Sequence, residues 1–131
     1  MKIPIILILC FLSSNAIAQT QDEMNQEAQE VYELADKKLN ETYTEILQLY
    51  QDDTLFIKQL KITQRIWITY RDASLKMKYP AIDKRLEYGS VYPMCVSYYL
   101  AEFTNKRTSE LNEWLQDTLE GEVCTGSVRR K

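Results

Sequence analysis

The sequence predicts an all-α fold, a small bundle of three long helices with one irregular loop between the second and third. Three observations carry this. Apolar side chains recur at steps of three and four along three long blocks. No stretch sustains the alternation of a half-buried strand. Gly and Pro number only 3 each in 131 residues, and they fall outside the blocks.

Residues 1–18 read as a secretion signal rather than as part of the bundle. Lys2 supplies the positive start, Ile3 to Leu12 the apolar run, and Ala16-Ile17-Ala18 the small-residue cleavage site. The apolar run is about ten residues, and a membrane span needs roughly 20. Cleavage would leave Gln19 at the mature terminus, a single domain over 19–131 and no membrane anchor. Cys10 would leave with the signal.

The first helix is expected from Gln21 to Tyr50. Met24, Ala28, Val31, Ala35, Leu39, Tyr43, Ile46 and Tyr50 follow at steps of three and four. Gln51-Asp52-Asp53-Thr54 breaks it, and Asp53 or Thr54 can N-cap the second helix, Leu55 to Lys78. There Phe56, Leu60, Thr63, Trp67, Tyr70, Ser74 and Met77 form one stripe. Ile62, Ile66 and Ala73 widen it, as for a helix packed against two neighbours. Tyr79 to Pro93 holds two prolines, Gly89, Ser90 and a cluster of tyrosines. It reads as a loop with a short helical turn near Ile82 to Leu86. The third long helix is expected from Met94 to Leu119. Val96, Tyr99, Phe103, Arg107, Leu111, Trp114 and Leu115 mark its buried face, and Gly121 is a candidate C-cap.

Charge changes sign along the chain. Residues 22–53 carry ten acidic and two basic side chains, residues 54–85 eight basic and two acidic. The expectation is that the first two helices lie antiparallel with opposite charges along their seam, each surface pair contributing roughly 0–1 kcal/mol. Docking of a basic partner on the acidic first helix is the alternative. The mature chain carries 15 basic against 19 acidic residues, net −4. That balance does not suggest nucleic-acid binding, which needs a basic surface.

The chain contains no histidine, so His-based triads and most zinc or copper sites are excluded. No phosphate-cradling, dinucleotide-binding or nucleophile-elbow string occurs, and the carboxylates sit at helix-surface spacing. No cofactor, metal site or catalytic residue is expected, and the protein reads as a non-enzyme. Cys95 and Cys124 are the cysteines left after signal cleavage. In an oxidising compartment they would most simply form one disulfide, whose loop the chain-entropy account values at roughly 3.5 kcal/mol.

One cluster stands out: Gln64-Arg65-Ile66-Trp67-Ile68-Thr69-Tyr70-Arg71-Asp72. A helix brings Gln64, Trp67 and Arg71 to one side, so Arg71 can lie over Trp67 and reach a carboxylate. Arg107 occupies an otherwise apolar position of the third helix. Both arginines are expected to join a structural polar network in the bundle, because buried charge needs partners.

These residues carry a resemblance. Asp36-x-x-Leu39-Asn40-x-x-Tyr43, then Leu60-x-x-x-Gln64-Arg65-x-Trp67-Ile68-x-Tyr70-Arg71-Asp72, Gly89-Ser90, Cys95 and Thr104-x-x-Arg107-x-x-x-Leu111 resemble, in that order, the LprI-type family. These are small exported bacterial helical domains, also called the lysozyme inhibitor LprI-like N-terminal domain. Members often carry a cysteine early in the first helix and another after the Tyr-Arg-Asp string. Here Glu27 and Leu75 stand near those places. The resemblance implies a periplasmic or secreted binding protein that inhibits lysozyme by contact, with lysozyme or another basic envelope protein as partner. The alternatives are an immunity or accessory protein against another secreted toxin, and a purely structural envelope module. Inhibition would need a rigid protrusion to enter an acidic catalytic cleft. Tyr88-Gly89-Ser90-Val91-Tyr92 is the candidate partner-binding loop, with Tyr88, Gly89, Ser90 and Tyr92 as its contact residues. The competing reading is that these tyrosines merely lid the bundle.

Overall fold

The computed structural model describes residues 20–116 and 123–129. The expected signal, residues 1–18, and the expected cap Gly121 lie outside them. Four α-helices follow in order: α1 (Gln21–Leu49), α2 (Thr54–Lys78), α3 (Lys84–Tyr88) and α4 (Tyr92–Leu111). Two 3-10 turns, Asn112–Leu115 and Val123–Thr125, complete the elements. There is no strand among the described residues.

Local chemistry sets the boundaries. Thr20 and Glu23 form a capping box at the start of α1: the Glu23 amide donates to Thr20 Oγ1 at 3.2 Å, and the Thr20 amide to Glu23 Oε2 at 2.9 Å. Asp53 caps α2 by accepting from the Phe56 amide at 2.9 Å, and Asp83 caps α3 by accepting from the Leu86 amide at 2.8 Å. Pro93 lies in the first turn of α4, where its missing N–H costs nothing. The third long helix is shorter than its sequence suggests: it ends at Leu111 and tightens into the 3-10 turn.

Helices α1 and α4 are parallel and form the main interface. The Asn25 side-chain amide donates to the Ser90 carbonyl at 3.1 Å, Ser97 Oγ to Gln29 Oε1 at 3.2 Å, and Tyr50 OH to the Trp114 carbonyl at 3.1 Å. Both helices advance in the same direction through these three contacts. The buried positions at this seam are small: Ala28, Ala35 and Thr42 on α1, Ser97, Ala101, Thr104 and Thr108 on α4. Small side chains let two helix axes approach at the short end of the usual range. Toward the C-terminal end of α1 the interior widens into a core of Leu39, Ile46, Tyr50, Leu60 and Leu111, flanked by Phe56, Trp67 and Trp114.

Helix α2 runs back against this pair, with Lys78 over the Tyr99 ring and Trp67 beside Phe103. Only Leu60 and Ser74 of α2 are buried, and Phe56 and Trp67 are half-buried. The rest of the expected stripe departs from the sequence reading: Thr63, Tyr70, Met77, Ile62, Ile66 and Ala73 are exposed. The face expected for α4 is also shifted. Val96, Tyr99, Phe103 and Arg107 are half-buried and turn toward α2, while the fully buried face is the small, partly polar one against α1.

The expected charge seam does not form. Among the described residues the ion pairs lie within α1 (Lys37–Glu41), within α2 (Arg71–Asp72), within α4 (Lys106–Glu102, Arg107–Glu110) or tie Arg129 to Asp52. None joins α1 to α2. Lys58, Lys61, Arg65 and Lys76 are exposed, and Lys61 and Arg65 border a groove beside Asn40 and Tyr43 of α1 rather than a carboxylate.

The expected disulfide is absent as well: Cys95 and Cys124 are not bonded to each other. Cys95 sits in the first turn of α4, beside Tyr79. Residues 123–129 pack at the other end, where Trp114 Nε1 donates to Ser127 Oγ at 3.0 Å. The sixteen helical steps from Cys95 to Leu111 rise about 24 Å in an α-helix. A disulfide needs Cα atoms within about 7 Å. The tail is held by Arg129 instead. Its guanidinium lies 4.6 Å from the Tyr50 ring centroid, pairs with Asp52 at 2.8 Å and donates to the Leu49 carbonyl at 2.9 Å. It thus caps the carbonyl end of α1 with positive charge.

Candidate functional site

Two constellations emerge from the predicted residues. The first is the polar network of α2 and α4. One turn of helix places Arg71 over Trp67, its guanidinium carbon 5.4 Å from the ring centroid. Arg71 Nη2 and Nε reach Asp72 Oδ1 at 2.8 and 2.9 Å. Arg107 crosses from α4, with Nε donating to Gln64 Oε1 at 3.1 Å and Nη1 to Glu110 Oε2 at 3.0 Å. The side chains of Arg71 and Arg107 are 18% and 14% exposed, so each is largely covered, and each guanidinium has polar partners. Gln64, Trp67, Arg71, Asp72 and Arg107 therefore come together.

The other motif residues lie apart. Asn40 is exposed and donates to Asp36 Oδ2, one turn earlier, at 3.0 Å. Tyr43 packs on the hydrophobic core, and burial raises the pKa of its hydroxyl, with nearby Arg65 opposing. Tyr70 points outward with its ring centroid 5.4 Å from that of Phe103. Tyr32, which the sequence did not single out, is half-buried near Arg71. Its hydroxyl pKa is raised by burial and pulled down by the arginine.

The second constellation is the segment between α2 and α4, which passes close to the start of α1. Tyr79, Tyr88 and Tyr92 form a triangle of rings. Tyr79 meets the other two edge-on at 5.2 and 5.3 Å, and Tyr88 stacks on Tyr92 at 5.5 Å. Tyr88 OH accepts from the Ala81 amide at 3.2 Å. Lys84 Nζ donates to the carbonyls of Tyr79 and Ala81. Burial raises the pKa of the Tyr79 hydroxyl. Beyond the triangle the chain turns at Gly89, whose φ of +72° lies in the region glycine favours. Gly89 and Ser90 are exposed, and the Ser90 carbonyl is anchored by Asn25. A cleft of ≈ 260 Å³ opens beside the turn between Asp22, Asn25, Lys84, Gly89 and Tyr92.

Tyr88, Gly89, Ser90 and Tyr92 thus lie together at this turn, and Tyr79 is a member the sequence reading missed. Its position just after α2, beside Pro80, was the available signal. Arg129 was missed too, and a lone cation in a polar tail offers no periodic signal. The chemistry on offer is that of contact: phenol and amide donors, exposed backbone and stacked rings. Among the described residues no three His, Cys, Asp or Glu side chains gather as metal ligands.

Residues 13–111 match the family described as Lysozyme inhibitor LprI. The chain is also similar to an uncharacterized protein of Rhizobium meliloti (strain 1021), at 36% identity over 110 residues, covering 76% of this chain and 76% of that protein. No solved structure matches. No helix among the described residues is long and apolar enough to cross a membrane.

Proposed function

The chain belongs to the LprI lysozyme-inhibitor family, and from that premise we propose that it is an exported, non-enzymatic protein that inhibits lysozyme by contact, using the turn at Tyr88–Tyr92. Export is supported by the signal-like pattern of residues 1–18. The observation that carries the loop assignment is the braced turn itself. Gly89 and Ser90 stand exposed on a base of three packed tyrosine rings, tied by Asn25 to the start of α1. A turn held this way has little conformational freedom left to lose on binding.

Charge supports the same partner. Glycosidase clefts carry a pair of carboxylates. Exposed Arg85 lies on α3 just before the turn, and Lys84 lines the adjoining cleft. The outer face of α1 carries exposed Glu23, Glu30 and Glu41, which would steer a basic enzyme toward the domain and act mainly on the association rate.

A lysozyme turnover assay with the chain from Gln19 onward tests both levels. Inhibition is expected, and joint replacement Tyr88→Ala and Tyr92→Ala should weaken it at least about tenfold, the loss typical of central aromatic anchors. Circular dichroism should show unchanged helicity. Full inhibition by the double variant would reject the loop. No inhibition by the parent chain would reject the function.

A further inference from the structure

Helix α2 carries a second apolar stripe that the bundle leaves uncovered. Leu55, Ile62, Ile66, Tyr70 and Met77 follow at helical spacing and are 76, 38, 62, 62 and 79% exposed. Exposed Ala73 continues the line. Single exposed apolar residues are ordinary, but an ordered stripe of large ones marks a surface meant for contact. Immediately beside it runs a line of exposed cations, Lys58, Lys61, Arg65 and Lys76. The one acidic residue of α2, Asp72, is already engaged by Arg71.

We propose that this face of α2 docks on an anionic phospholipid surface. The apolar stripe would enter the boundary between headgroups and acyl chains, and the adjacent cations would meet lipid phosphates. This is the arrangement of an interfacial amphipathic helix. Lys and Arg suit the position because their long stems lie along apolar surface while the charge stays at headgroup level. The chain from Gln19 onward is net −4, but α2 itself carries six cations against the one carboxylate of Asp72, and that local pattern favours this occupant. The Glu-rich outer face of α1 is repelled by an anionic surface, so the domain turns α2 toward it. A second copy of the chain fits poorly. Two such stripes packed antiparallel set each cationic line against its own copy, which is unfavourable. Packed on α1 of another copy, the cations would meet Glu23, Glu30 and Glu41, but the apolar stripe would gain no apolar partner there and would desolvate carboxylates. The proposal uses a face distinct from the Tyr88–Tyr92 turn and stands whether or not lysozyme is the partner.

The test is co-sedimentation of the chain from Gln19 onward with large unilamellar vesicles at low ionic strength, of phosphatidylglycerol in one arm and phosphatidylcholine in the other. Sedimentation with phosphatidylglycerol alone is expected. Joint Lys58→Gln and Arg65→Gln should lower the partition on the order of tenfold. Ile66→Asp should remove it, with helicity and thermal midpoint kept because the site is exposed. No sedimentation with phosphatidylglycerol, or equal sedimentation with phosphatidylcholine, overturns the proposal. So does a concentration-dependent dimer in sedimentation equilibrium that Ile66→Asp dissolves, which would assign the face to a second copy.

Discussion

The α1–α4 seam and helix α2 are both helical and both amphipathic, yet they are held in opposite ways. The seam is lined by Ala, Ser and Thr and is almost completely buried. Helix α2 is rich in Ile and Leu and carries Phe56, Trp67 and Tyr70, yet it buries only Leu60 and Ser74 outright. The difference teaches that burial follows backbone approach rather than side-chain hydrophobicity. Where two helices come close, small groups are covered on every side. Where a helix stands off on a few large anchors, even large apolar groups between the anchors stay wet.

The comparison can be broken at the α2 anchor first. Leu60→Ala should cost about 2–5 kcal/mol, because it empties the place where α2 enters the core. Urea denaturation measures this, and a loss below about 1 kcal/mol would mean that α2 is held elsewhere. Next comes one substitution made in both regions. Ala101→Leu overfills the seam and should cost about 1–3 kcal/mol, whereas Ala73→Leu, on the exposed face of α2, should stay within about 0.5 kcal/mol. Equal costs would deny that the seam is the tighter of the two. A smaller effect sharpens the picture. Thr104 is completely buried and its hydroxyl has no hydrogen-bond partner. Thr104→Val should therefore stabilise the domain by about 1 kcal/mol, read as a higher thermal midpoint.

The smallest effect concerns pH at the tail. The hydrogen bond from Arg129 holds the Asp52 carboxyl below its ordinary value of 3.8. A depressed folded-state pKa means that the contact contributes in full above the unfolded value and is lost as pH falls through the folded one. The Arg129 amide resonance should therefore shift on acidification below about pH 4. Asp52→Asn should remove that step while the cation over Tyr50 remains. A step unchanged in the variant would assign the titration to another group.

Much of this was legible in the sequence, and the failures share one cause. The α1 and α2 boundaries, the Asp53 cap and the short helix after Tyr79 all follow from local rules that act within a few residues. The lie of Arg71 over Trp67 was legible for the same reason, whereas its carboxylate partner was expected only as one within the bundle and proved to be the adjacent Asp72. The reach of Arg107 to Gln64 was legible only as an oddity, since its partner lies on another helix. Which face each helix buries was not legible, because apolar periodicity fixes a stripe but not the distance to the neighbour. On α4 the eye goes to Val96, Tyr99 and Phe103, while the decisive line is Ser97, Ala101, Thr104 and Thr108. Those residues do recur at steps of four, three and four, so a search for small-residue periodicity would have found them. The disulfide expectation counted cysteines without knowing that Cys95 sits at the start of α4 while the tail carrying Cys124 packs beyond its far end.

The parallel course of α1 and α4 has a kinetic consequence. Gln29 and Ser97 are 68 residues apart in sequence, so the principal interface closes only after the chain between them has run the length of the bundle and returned. Closure entropy grows slowly with length, and the equilibrium penalty is modest. Folding speed depends more steeply on the separation of contacting residues. The domain should thus fold more slowly than helical proteins whose main contacts join consecutive rods, and denaturant-jump measurements can expose that lag.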